Sequence, residues 1–134
     1  MRFRLALASA LALSVGSLAA AGAQAHHSFA MFDFTREVTV VGEVKEFLWR
    51  NPHLHILMNV PDGKGGVVEY DIEGATPNNQ RRQGWSATIL KPGDKISVVI
   101  RPLKNGDPGG NLIRATRADG TPIGNPPAGA RGAN

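Results

Sequence analysis

Four histidines are the side chains of this sequence best placed to do chemistry, and they fall in two close pairs, His26-His27 and His53/His55. Imidazole nitrogen suits copper, zinc and nickel. Residues two apart in a strand share a face, so His53 and His55 have a usable spacing for two ligands of one ion. His26 directly follows Ala23-Gln24-Ala25, a small-x-small site. Upstream lie Arg2, Arg4 and an apolar run over residues 5–21 without an acidic residue. That order is the signature of a secretory signal peptide. Cleavage after Ala25 would make His26 the first residue, and its free amine and ring nitrogen would chelate together. His53 or His55 would supply the second arm, with Asp71 or Glu69 approaching from a neighbouring strand. Copper is the expected ion, zinc the second choice. Ala21-Gly22-Ala23 is also an acceptable cleavage site. A cut there leaves histidine third, where an amine, two backbone amides and an imidazole make a square-planar copper(II) or nickel(II) site. A plainer reading competes: histidines on an open strand face are often merely solvated, and His53, after Asn51-Pro52, would orient a turn.

Other candidates carry less. Glu69, Asp71 and Glu73 alternate along one strand face, as a hard-cation site or simply a wet surface. Arg81-Arg82 could grip a phosphate or carboxylate. Trp49 and Trp85 would plug the core or line a groove with Tyr70. Arg50 would stack on an aromatic ring or pair with Asp71. Ser28 and Ser86 sit in no nucleophile-elbow pattern. Gly63, Gly65 and Gly66 belong to a hairpin turn, not a phosphate loop. The chain has no cysteine, which excludes thiolate metal sites and thiol redox chemistry. The net charge of +4 falls to +2 once Arg2 and Arg4 are removed. With no basic block, nucleic acid is not an expected partner. No second apolar run approaches the roughly 20 residues of a membrane helix, so no stable membrane insertion is expected after cleavage.

The elements that must position these residues are mostly strands. Residues 37–49 are rich in Val and Thr, with Gly42 as the expected bend or bulge. Residues 53–60 alternate: Leu54, Ile56, Met58 and Val60 face one way, and His53, His55, Leu57 and Asn59 the other. A glycine-rich turn over 61–66 leads to residues 67–73, with Val68, Tyr70 and Ile72 inward. Thr76-Pro77 caps a short helix reaching about Gly84. Strands follow over 95–101 and 111–118, then a short segment over 121–124. Phe32 and Phe34, two apart, would dock an extended N-terminal arm through one face. Five or six strands with one short helix between the third and fourth predict an all-β fold, a small OB-like barrel.

The segments Ala25-His26-His27-Ser28-Phe29, Trp49-Arg50-Asn51-Pro52-His53 and Leu90-Lys91-Pro92-Gly93-Asp94 together resemble an uncharacterised bacterial exported family of the DUF6152 type. The resemblance implies a periplasmic β domain and little about mechanism. The histidine set is also similar, in chemistry alone, to the histidine brace of lytic polysaccharide monooxygenases and periplasmic copper carriers. The expected organisation is a signal peptide over 1–25, an OB-like barrel over 26–124 and a disordered Pro/Gly/Ala tail over 125–134. The expected function is that of an exported periplasmic binding or accessory protein, not an enzyme. It would handle copper through His26, His27, His53 and His55. The alternative is a metal-free module that binds a small molecule, a peptide or a periplasmic partner protein.

Overall fold

The computed structural model describes residues 29–125. The chain divides into two compact units, Met1–Met31 and Phe32–Asn134. Of the first, residues 29–31 are described, and Phe29 and Ala30 are helical. The expected signal peptide, His26 and His27 lie outside the described residues, as do residues 126–134 of the expected tail.

The second unit is a closed barrel. Its strands are β1 (Val38–Leu48), β2 (His55–Pro61), β3 (Val67–Glu73), β4 (Lys95–Pro102) and β5 (Gly109–Arg117). A two-residue strand, β6 (Pro122–Ile123), pairs with β5, and one short helix, α1 (Pro77–Arg82), joins β3 to β4. β1 is long enough to serve two partners: Val38 to Glu43 pair with β4, and Glu43 to Leu48 pair with β2. The β2–β3 hairpin and the β4–β5 pair extend this sheet, and a parallel pairing of Asp71 to Glu73 with Gly109 to Asn111 closes it. This is the five-stranded OB arrangement that the element order predicted.

Alternation along the strands accounts for the core. Val40, Val44, Leu54, Ile56, Met58, Ile72, Ile96, Val98 and Ile100 are buried, and Trp85, Leu90 and Ile123 join the same cluster. Thr76 caps α1 by accepting from the Asn79 N–H, and Pro77 takes the first turn, where a missing N–H costs nothing. The irregularity in β1 lies at Lys45, between Val44 and Glu46, and not at Gly42. Gly42 answers a different need: a Cβ there would lie 2.5 Å from the Asn59 carbonyl oxygen. It lets the β2 backbone come close.

Two expectations need correction. Phe32 is buried and bridges to Leu103, but Phe34 is exposed and lies under the Arg101 guanidinium, 5.0 Å from its ring centroid. The chain turns between them, because the Asp33 carboxylate accepts from the Thr35 N–H and hydroxyl. These bonds hold the Asp33 carboxyl below its ordinary range. In β3, Val68 is half exposed although its alternation points inward, because the hairpin extends past the stretch where β5 covers β3.

Candidate functional site

Leu54 sets the geometry of the β2 histidines. Its side chain is fully buried, its N–H donates to Ala75 O, and its carbonyl accepts from the Gly74 N–H at 2.9 Å. A Cβ on Gly74 would lie 2.5 Å from Leu54 Cδ1, so glycine makes the space that Leu54 fills. With Leu54 inward, His53 and His55 must both project outward. They stand where the β1–β2 loop, carrying a cis Asn51-Pro52 bond, enters β2.

Each ring is held by a carboxylate from β3. His53 Nδ1 pairs with Glu73 Oε1, and His55 Nδ1 lies 2.7 Å from Asp71 Oδ1. The direct cross-strand partner of His55 is Glu73, and that of Leu57 is Asp71. Both bonds therefore slant by the same step along β3. The His53–Glu73 pair is the more enclosed, with side chains 26% and 19% exposed, against 27% and 57% for His55–Asp71. Among the described residues, neither Nε2 meets a hydrogen-bond partner.

The carboxylates are themselves fixed by barrel closure. The Asp71 N–H donates to Pro108 O at 3.3 Å, and the Glu73 carbonyl accepts from Asn111 Nδ2 at 3.3 Å. A Cβ on Gly109 would lie 2.5 Å from the Asp71 carbonyl oxygen, so a glycine is needed where β5 reaches β3. The histidine–carboxylate pairs thus lie on the β2–β3 face, between the β1–β2 and β4–β5 loops.

Of the expected ligands, His53 and His55 are together on this face; His26 and His27 lie outside the described residues. Asp71 approaches as expected. Glu69 does not: it pairs with Lys45, whose ammonium it pushes above the ordinary lysine range. Glu73, read only as part of an acidic strip, is the partner of His53. The whole strip is therefore matched base for acid, which removes its appeal as a hard-cation site. Among the described residues, no three His, Cys, Asp or Glu side chains form a group that could hold a metal ion. Arg81, not Arg50, lies over Trp49 at 5.9 Å, and Asp71 pairs with His55 rather than Arg50. Trp85 is a core plug, and Trp49 packs on the core beside Phe47 at 5.8 Å between centroids. Among the described residues no helix is long and apolar enough to cross a membrane.

The family model described as "Family of unknown function (DUF6152)" matches residues 13–112, and the chain belongs to that family. No curated protein matches. Among solved structures, the chain is similar to Rim1, a mitochondrial single-stranded DNA binding protein from S. cerevisiae. The identity is 12% and the TM-score 0.47, over 67% of this chain and 95% of that one.

Proposed function

We propose that this DUF6152 member is an exported, periplasmic accessory protein that captures a divalent metal ion, copper first and zinc second. The ion would sit on the Nε2 atoms of His53 and His55. The observation that carries this reading is the anchoring of both rings at Nδ1 by carboxylates. Metal-ligating histidines almost always give their other ring nitrogen to such a partner, which fixes the tautomer and makes the free nitrogen more basic. Two rings so prepared, side by side on an outer strand face, form half of a coordination sphere. His26, through its amine as well if export ends in cleavage after Ala25, and His27 are the further donors of this reading. Nitrogen and oxygen donors without sulfur favour the divalent ion.

The test is native mass spectrometry and calorimetry of the exported protein with copper(II) and zinc(II). One equivalent of copper should bind, and His53→Ala with His55→Ala should abolish it. His26→Ala with His27→Ala should weaken it and change the copper EPR spectrum. A protein that takes up neither ion would overturn the reading. A second reading, a metal-free module for a small molecule or peptide, draws support from an open groove of about 450 Å³ lined by Val41, Pro61 and Val67 together with Asn59, Glu43 and Lys95. It predicts ligand binding untouched by the histidine substitutions.

A further inference from the structure

Among the described residues, the first half of β3 has no strand beside it on the side away from β2. Across the hairpin, the Asp62 N–H donates to Gly66 O, and the Gly74 N–H donates to Leu54 O. Counting by twos between these points, Val68, Tyr70 and Ile72 turn their N–H and C=O toward β2. Val67, Glu69 and Asp71 therefore turn theirs away. Asp71 is satisfied by Pro108, and β5 pairs with β3 only from Asp71 onward. Among the described residues, the backbone groups of Val67 and Glu69 have no strand beside them.

Edge strands are usually guarded by proline, a bulge or a charged side chain. Residues 67–70 carry no proline and no bulge, and their one charge, Glu69, is paired with Lys45. The edge is also apolar, with Val67 62% and Val68 39% exposed. Beside it opens the groove that runs past Val41, itself largely exposed.

We infer that this edge pairs with the same edge of a second copy of the chain, antiparallel, with Val68 on the two-fold axis. In that register Val67 of one copy lies opposite Glu69 of the other, twice. Both residues have their N–H and C=O pointing outward, so each pair exchanges two hydrogen bonds, as an antiparallel ladder requires. The two Val68 side chains meet at the axis. The charges also agree with self-pairing. Each Glu69 faces a valine and not its own copy, and Lys45 already neutralises it. A short edge contact of this kind falls below about 1,200 Å² and forms a weak dimer, with Kd on the order of 0.1 to 1 mM.

Sedimentation equilibrium of the purified chain over a wide concentration range is the test, with metal chelated so that the histidine site plays no part. The wild type should dimerise reversibly, and the Val67 and Glu69 amides should gain hydrogen-exchange protection as concentration rises. Val67→Pro removes an outward N–H at the first strand position, where proline is tolerated. Val68→Lys sets two like charges face to face. Each should weaken dimerisation roughly tenfold or more. A wild type that stays monomeric throughout would overturn the inference. So would a dimer that leaves those two amides unprotected, or one indifferent to both variants while their circular dichroism remains native.

Discussion

Replacing Glu73 by Gln and Asp71 by Asn should weaken copper(II) binding without touching any proposed ligand atom. In the proposed site the carboxylates would act on the metal through the rings: each would hold Nδ1–H and so keep the Nε2 lone pair available. Losing such a partner typically costs 10- to 100-fold in metal affinity, about 1.4 to 2.7 kcal/mol. The two pairs should differ. Glu73 and His53 are mostly shielded from water, whereas Asp71 is 57% exposed. Screening reduces the exposed pair more, which puts Glu73→Gln near hundredfold and Asp71→Asn near tenfold, by order of magnitude. Folding should change little, since a partly exposed side-chain hydrogen bond contributes about 0.5 to 1.5 kcal/mol and the amides of Gln and Asn still accept one. The assay is competition titration of copper(II) against a chelator of known affinity. Nitrogen chemical shifts of the two rings would report the tautomer in parallel. Wild-type affinity in both folded variants would refute the argument. So would lowered affinity with the tautomers unchanged and no effect of His53→Ala.

Other substitutions probe the frame that holds the site. Leu54→Ala empties a fully buried position and should cost about 2 to 5 kcal/mol in urea unfolding, with copper affinity falling as the two histidines lose their common anchor. Gly109→Ala forces a Cβ against the Asp71 carbonyl where the barrel closes and should cost about 1 to 3 kcal/mol by the same measurement. Asp94 is held below the ordinary carboxylate range by Lys91, through its ammonium and its backbone N–H, and by Arg117. Its contribution is therefore present above the unfolded carboxyl pKa and fades as pH falls through the lower folded value. Asp94→Asn should cost about 1 kcal/mol at neutral pH, and the difference from wild type should shrink in strong acid.

The barrel was legible because its strands alternate cleanly. Leu54, Ile56 and Met58 against His53 and His55 specify a face, and a face specifies which residues meet solvent. The turn residues around Thr76-Pro77 and Pro92-Gly93 mark the breaks for equally local reasons. What alternation cannot carry is the step between neighbouring strands. Placing Glu73 directly opposite His55 follows from the hairpin once Pro61 is set against Val67. The histidine–carboxylate pairs, however, run diagonally, and Glu73 reaches His53 instead. Diagonal neighbours on a twisted sheet are within reach of long side chains, but sequence periodicity carries no record of twist. Val68 was misplaced for a related reason: its alternation is correct, but how far β5 extends along β3 is a property of the closed barrel. Phe34 failed because a short Asp33–Thr35 turn broke the extended geometry that an i, i+2 argument assumes.

The same three residues of β3 that close the barrel also carry the carboxylates of the site. Asp71 to Glu73 pair with Gly109 to Asn111, and within that stretch only Ile72 points into the core. Closing the sheet therefore fixes Asp71 and Glu73 in the act of burying Ile72, and they in turn fix two rings on the adjacent strand. The backbone under the proposed ligands is thus set by barrel pairing, which is what a ligand set would need to favour one ion geometry over another. The two imidazoles would supply half of a four-coordinate sphere. Substitutions at His53 and His55 should abolish copper binding in a titration, whereas substitutions at His26 and His27 should leave a weaker, faster-exchanging site.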